Sequence, residues 1–437
     1  MKGDFSRDSF DPHMAYQRIL HQQGRLTLDA EFNEQTAVLL HLLRTTTCDL
    51  IGPYGGPVDD AGFEIRLTQD GTLVIGAGRY YVGGLLVQND QPAPYQVQPF
   101  YRPMPDDVPL ASGGDAPSRV TLLYLEVFER VVTSLIDPAI ADPALDGIET
   151  ALRGQVVWQV RAIETAFVMD EVLEDPDAAS RQAMVILTAL DDRPSAMAAR
   201  AAPSDGFGDG ITAGYTGMEN GLFRIEVHRG GVAGEAQFKW SRTNAGVVAP
   251  WLGLDGDHLV IADAGRLEGR RVIELTTADR ELDGREGELI EIAPAGQNRF
   301  TVAAGDISAV RALWDSGLDR PFARSWDRVS AGRGDAPGLT DIEEGTPDRW
   351  LWLDLADGIQ IAFSPGGVYR VGDYWQIPVR SGLGAVLWPG VLGAQGRWIP
   401  DALAPVGVRR WRAPLALHGL SAGQPILQDC RRLFPPR

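Results

Sequence analysis

The chain has 437 residues, enough for two to four domains and a sizeable core. Its formal net charge of −19 repels phosphate backbones and anionic bilayers, so neither nucleic acid nor membrane insertion is expected of it. Cys48 and Cys430, the only cysteines, are too few for a disulfide framework and fit reducing cytoplasm, with a bridge between them left open.

The first residues, "MKGDFSRDSFDP", form a polar arm carrying two aromatics. Such an arm is either a frayed end or an element that orders against a neighbour. It lacks the basic-then-apolar pattern of a secretion signal, and no run of about eighteen apolar residues follows. Synthesis in the cytoplasm is therefore expected, with export only as part of something larger. Tyr16, Ile19 and Leu20 suggest a short helix broken at Gly24. Residues 27–51 then carry the clearest helical pattern. Asp29 is placed to cap it, and Phe32, Leu39, Leu40, Leu42 and Leu43 give an apolar stripe. Gly52-Pro53 stops it.

Beyond "GPYGGP" the period changes from 3.6 to 2. Residues 62–90 read as a β-meander that reverses at Asp70-Gly71 and Gly83-Gly84. A Pro-rich stretch follows at about 91–118. Two long strands, "RVTLLYLEVFERVV" and "GQVVWQVRAIETAF", flank an acidic loop. Residues 171–205 read as a spacer with a helix around "SRQAMVILTAL". Short strands then resume at regular spacing. The expected fold is mainly β with an N-terminal helical segment (α+β), in several small barrel or sandwich-like modules. The expected segments are 1–58 (arm and helix), 59–170 (β-rich), 171–205 (spacer), 206–312 (small barrel or sandwich) and 313–437 (Trp-rich β and tail). No tandem repeat is evident.

The search for chemistry finds no complete motif. "GAGRYY" at Gly76 and Gly78 lacks the third glycine of a dinucleotide loop and lies within the meander, so it reads as a kinked strand. Ser364 in "AFSPG" lacks the strand–turn–helix context of a nucleophile elbow. The six histidines show no zinc spacing. Asp255 and Asp257, beside His258, are too sparse for a calcium loop. Glu343 and Asp354 are nominal partners for glycoside hydrolysis, which depends on a separation that sequence does not give. Arg333–Asp335 spells an integrin-type tripeptide, for which chance is the stronger reading. No catalytic, cofactor or metal site is expected. Tryptophan crowds the second half, from Trp240 to Trp411. Core filling ranks first for it, an assembly interface second and a sugar platform third. In "WLWLDL" both strand faces are apolar, so burial on both sides is expected from Trp350.

Several segments together resemble an uncharacterised family encoded with phage-tail-like contractile injection systems of bacteria. They are "MKGDFSRDSFDP", "QQGRLTLDAEFNEQ", "DLIGPYGGP", "VVWQVRAI", "LFRIEVHRGG", "FKWSRTNAG", "GVYRVGDYWQIPVR" and "DCRRLFPP". They spread over nearly the whole chain. Where that family leads one to expect an acid after Arg242, Thr243 stands here. The resemblance implies a non-enzymatic structural part of the baseplate or spike surroundings. Its partners would be other tail proteins and itself, as a trimer or hexamer. Arm and helix would lock subunits together through Phe5, Phe10, Tyr16, Phe32, Leu39 and Leu43. A glycan-binding fibre module and a tail-spike hydrolase are the two alternatives.

Overall fold

Pairing between distant strands, more than local pattern, decides how this chain is divided. The structure, a computed structural model, describes residues 2–6, 9–101, 119–145, 148–190, 195–202, 214–303, 306–327, 338–346, 349–393 and 398–435. Arg333–Asp335 and the 102–118 part of the Pro-rich stretch lie outside the described residues. Two compact units emerge. One, the barrel unit, comprises Met1–Arg7, Val131–Arg153 and Arg193–Val408. The other, the helix unit, comprises Asp8–Arg130, Gly154–Asp192 and Arg409–Arg437. The five consecutive segments read from the sequence give way to this interleaving. Arg410–Ser421 pairs with Thr121–Val132, and Tyr374–Arg380 pairs with Gly221–Arg229. The protein is mainly β with an N-terminal helix, as expected.

In the helix unit the meander forms as read. Gly83 and Gly84 take φ of 58° and 76° between Gly78–Val82 and Leu85–Asn89, as a two-residue type I′ turn requires. The "GAGRYY" stretch is accordingly a strand. A four-stranded sheet runs Gln424–Asp429, Arg410–Ser421, Thr121–Val132, Arg153–Glu164. Its strand Thr121–Val132 is apolar on both faces because both are covered. Leu123, Leu125 and Val127 join a core with Phe63, Tyr80 and Trp158. Leu122 and Tyr124 join another with Met169, Ala183 and Leu187. The latter comes from the helices Met169–Glu174 and Pro176–Ala189, so the expected spacer is a packed layer. Asp175 caps the second of these by accepting from the Ala178 N–H at 2.9 Å, with Pro176 in the first turn. The helix expected around Tyr16–Leu20 does not form; that stretch is irregular, after a single 3-10 turn at Pro12–Met14. A segment so short has too few hydrogen bonds to offset nucleation. It runs beside the long helix instead, where the Ile19 N–H donates to Gln35 Oε1 at 2.8 Å.

In the barrel unit six strands close into a barrel in the order Val248–Asp255, His258–Ile261, Arg299–Val302, Glu288–Gly296, Val272–Thr276, Phe322–Trp326. The barrel expected within 206–312 therefore needs a strand beyond 312 to close. A five-stranded sheet runs Thr340–Asp341, Gln237–Ser241, Gly221–Arg229, Tyr374–Arg380, Ala385–Val386. One of its faces carries Phe223, Ile225, Val227, Phe238, Trp240, Trp375 and Ile377 into a single core with Tyr369. Core filling thus holds for Trp240 and Trp375. It does not hold for "WLWLDL", where only Leu353–Asp354 is strand and Leu351 is exposed. Trp350 and Trp352 are half-buried and stack on each other, 5.9 Å apart.

Candidate functional site

Two features stand out, one apolar and exposed, the other charged and buried. The first is the helix Asp29–Ile51. Asp29 is its first residue rather than its cap. The Glu31 carboxylate reaches back instead to the Leu28 N–H, at 3.1 Å. Gly52, at φ 95°, ends the helix, its N–H on Cys48 O at 2.7 Å. Arg44 anchors it through Glu129, 2.7 Å away. Of its 23 residues only Ala30 and Val38 are buried. Phe32, Leu39, Leu43 and Leu50 remain 61, 57, 62 and 65 % exposed. Together with exposed Thr36 and Thr46 they recur at alternating steps of four and three, the a/d seam of a coiled coil. Leu40 and Leu42 flank the seam and are exposed too.

The interface residues read from the sequence divide between the two units. Phe32, Leu39 and Leu43 lie on the seam, and Tyr16 is exposed in the segment beside the helix. Phe10 is half-buried, its ring 5.3 Å from that of His41. Phe5 belongs to the barrel unit and is half-buried there.

Phe5 marks the second feature. The arm at residues 2–6 is docked within its own chain. The Gly3 N–H donates to Asn244 O at 3.2 Å, and Asn244 Nδ2 donates to Gly3 O at 3.1 Å. Asn244 and Ala245 hold φ of 50° and 54° to present this loop, which is the "SRTNAG" stretch. Ser241 Oγ, 3.3 Å from Thr243 Oγ1, braces it by accepting from the Ala245 N–H at 3.1 Å. Gly3 holds φ of 156°, a conformation that side chains rarely adopt, and a Cβ there would stand 2.5 Å from Leu152 Cδ1, so glycine is favoured. Lys2 Nζ then reaches Glu226 Oε1 at 2.9 Å and Glu281 Oε1 at 3.2 Å.

Around Lys2 the polar back of the five-stranded sheet is buried together with polar positions of barrel strands. Arg224, Glu226 and His228 alternate with the core residues of Gly221–Arg229, and Lys239 alternates with Phe238 and Trp240. Glu274, Arg324 and Trp326 come from the barrel, and Glu281 from the short helix Ala278–Leu282. Lys239 Nζ donates to both Glu274 oxygens at 2.7 Å, and Trp326 Nε1 donates to Glu274 Oε2 at 2.8 Å. The Gly287 N–H adds a fourth hydrogen bond to that carboxylate, at 3.2 Å. Arg224 Nε donates to Glu226 Oε2 at 2.6 Å, and Arg324 Nη2 lies 3.2 Å from Glu281 Oε1.

Burial alone would raise the Glu274 carboxyl, but Lys239 and then Lys2 outweigh it and hold it at about 2. Burial likewise opposes ionisation of Glu226, and Lys2, Arg224 and Lys239 overcome it, setting that carboxyl well below the usual range. For Lys2, the pull of Glu226 and Glu281 exceeds the burial cost and raises its ammonium. Burial, then the Lys239 charge, lowers His228 to about 3, so it is neutral at pH 7. Ionised acids fully occupied by cations are poor proton shuttles. The arrangement is suited to holding a primary amine in a defined place.

One sequence signal for this cluster goes beyond the motifs searched above. Among 40 basic residues only Lys2 and Lys239 are lysine, and both meet in this cluster. Arginine serves everywhere else. Other sequence candidates dissolve into ion pairs: Asp255 pairs with Arg299 at 2.7 Å and Asp257 with Arg311 at 3.2 Å. Cys48 and Cys430 are both free thiols. Among the described residues no group of three or more His, Cys, Asp or Glu side chains is arranged to hold a metal ion, and no helix is long and apolar enough to cross a membrane.

No curated protein and no solved structure matches the chain. A family profile does match, over residues 1–204 and again over 194–435, and so spans nearly all of it. The chain therefore belongs to the family of unknown function DUF6519.

Proposed function

We propose that the protein is a non-enzymatic structural component of a phage-tail-like contractile particle, at the baseplate or around the spike, and that it works by homo-oligomeric assembly. The observation that carries the assembly half is the uncovered a/d seam of Asp29–Ile51, about 34 Å of helix with its apolar row in solvent. Six seam positions pack poorly against water and well against the same seam on another copy. Apart from Asp49, the flanking e and g positions are uncharged, so identical helices meet with little repulsion. The resemblance of the quoted segments to proteins encoded with contractile systems supports the particle half.

Size-exclusion chromatography with light scattering tests assembly. A symmetric oligomer is expected, reduced to monomer by Leu39→Glu with Leu43→Glu. Purified tail-like particles from the producing cell test the setting, since the chain should copurify with sheath, tube and spike proteins. A monomeric wild type would sink the assembly reading, and particles free of the chain would sink the setting.

The half-buried Trp350–Trp352 stack favours a glycan-binding fibre module as second reading. Asp354 and Gln360 are bonded to each other nearby at 2.8 Å, and Arg200 lies over the Trp352 ring at 3.8 Å. Binding of cell-surface polysaccharide that disappears in Trp350→Ala would favour this reading over the first.

A further inference from the structure

We infer that the exposed seam of Asp29–Ile51 packs antiparallel on the same seam of a second copy, centred level with His41, and that a groove beyond the end of each helix receives the acidic first turn of the other. This rests on the homo-oligomeric reading above and fixes the direction and register of its contact.

The seam is a palindrome. Counted outward from His41 in both directions, its positions are Leu39 and Leu43, then Thr36 and Thr46, then Phe32 and Leu50. A twofold axis brings residues equidistant from the centre together, so that i contacts j and j contacts i. Leucine then meets leucine, threonine meets threonine and Phe32 meets Leu50, each layer joining an a position to a d position. Thr36 can enter an apolar layer because its Oγ1 already donates to Phe32 O at 3.1 Å.

The flanks decide the direction. On one side of the seam stand Asn33, Leu40 and Thr47, and on the other Gln35, Leu42 and Asp49. Antiparallel packing lays each flank against itself. Leu40 meets Leu40 and Leu42 meets Leu42 at the centre, while polar residues meet one another toward the ends. Both leucines are exposed in the single chain, and this arrangement covers them. Parallel packing crosses the flanks, which seats Leu40 beside Gln35 and Leu42 beside Thr47 and brings the two Asp29 carboxylates together.

The ends agree. The seam position before Phe32 is Asp29, and the same count from His41 in the other direction reaches Pro53. Pro53 lines a groove of about 860 Å³ with Tyr54, Met184 and Val185, and Arg181 and Arg432 stand at its walls. All of these residues lie in the helix unit. A Cβ at Gly52 would strike the Arg432 guanidinium, so that charge lies against the end of the helix. Among the described residues neither Arg181 nor Arg432 is in an ion pair. The register therefore delivers Asp29 and Glu31 of one copy to two guanidinium groups of the other, and the exposed Leu26 and Leu28 to apolar walls. The helix dipoles then run in opposite directions, which also favours the pair.

Disulfide trapping reads the direction. Thr36→Cys and Thr46→Cys are made in separate full-length chains, then mixed, equilibrated and oxidised, and peptide mapping sets their disulfides apart from those of Cys48 and Cys430. A disulfide joining the two substituted positions is expected in the mixture. Neither variant alone should join to itself, because the two copies of one position stand about 15 Å apart along the helices. Arg181→Glu tests the groove: association should shift to higher protein concentration at low salt, and high salt should erase the difference. If Arg181→Glu associates like the wild type at low salt, the groove has no part in the contact. Variants that each join to themselves overturn antiparallel packing and leave the assembly reading standing. So does a protein that is oligomeric by light scattering and forms no disulfide at either position. A protein that is monomeric before oxidation removes both.

Discussion

The arm at residues 2–6 and the helix at Asp29–Ile51 begin the same chain and bury themselves in opposite ways. The arm is polar and charged, yet Lys2 reaches the buried Glu226 and the partly buried Glu281 in its socket. The helix carries a leucine row, yet that row stays in water. In these two elements burial does not follow hydrophobicity; it follows the partner each one finds. The charged arm finds its partners on the same chain, whereas the leucine row of the helix stays exposed. Variants in the socket should therefore cost stability, and variants on the seam should cost association.

The largest effect is expected at Glu274, which accepts from Lys239, Trp326 and the Gly287 N–H. Glu274→Gln leaves Lys239 in a buried site with only the more distant Glu226, 3.5 Å away, as an acidic partner. Removing one partner of a buried pair costs about 3–5 kcal/mol. Denaturant unfolding followed by tryptophan emission should show that loss. A change below about 1 kcal/mol would mean that the cluster is not what joins sheet to barrel.

Acid should reach the same cluster in two stages. His228 has its ordinary value near 6.5 when unfolded and about 3 when folded, so below pH 6.5 the unfolded chain binds a proton that the folded chain refuses. Stability from this group is complete above pH 6.5 and is lost as pH falls toward 3. Glu274, near 4.5 unfolded and about 2 folded, contributes stability above pH 4.5 that is lost as pH falls to 2. Together they are worth several kcal/mol, since each tenfold change in proton affinity between the two states is worth about 1.4 kcal/mol. Around His228 the charged groups are Lys239, Glu274, Glu226 and Arg229. His228→Asn should flatten the upper stage and leave the lower one. A pH–stability curve unchanged by that substitution would remove His228 from the account.

Lys2→Met should cost less, about 1–3 kcal/mol, because it removes charged hydrogen bonds without stranding either acid. If it costs as much as Glu274→Gln, Lys2 is as integral to the cluster as Glu274.

The meander, the paired long strands and the long helix were legible because each is written in local period and turn chemistry: Asp70-Gly71, Gly83-Gly84 and Gly52-Pro53 are where the chain reverses or stops. The interleaved units were not, because the pairing of Thr121–Val132 with Arg410–Ser421 leaves no mark in either strand alone. "WLWLDL" misled because an apolar run of aromatics looks like a two-sided strand, while Trp350 and Trp352 satisfy each other by stacking at a half-buried site. The socket escaped for a different reason. Its residues alternate with core residues on strands that read as half-exposed, and a polar strand face normally implies solvent. Only the scarcity of lysine pointed there.

The smallest effect on stability, and the sharpest division between arm and helix, is expected on the seam. Leu39 and Leu43 are 57 and 62 % exposed, so in the isolated chain their side chains contribute little burial to lose. Leu39→Glu with Leu43→Glu also keeps good helix formers in the helix interior, and the unfolding free energy of the monomer should change by no more than about 0.5 kcal/mol. In an oligomer the same two positions occupy facing d and a layers, where each carboxylate would enter an apolar seam beside its own copies. Light scattering should then read monomer at concentrations where the wild type is assembled, while the thermal melt of the dilute protein stays in place. Leu50→Glu, in the last seam layer and one residue from the helix end, should weaken association less, since helix ends fray and admit water. Should the double variant lower the melt of dilute monomer as far as Glu274→Gln does, the helix face is already covered within the chain, and the contrast between a partnered arm and an unpartnered helix is lost.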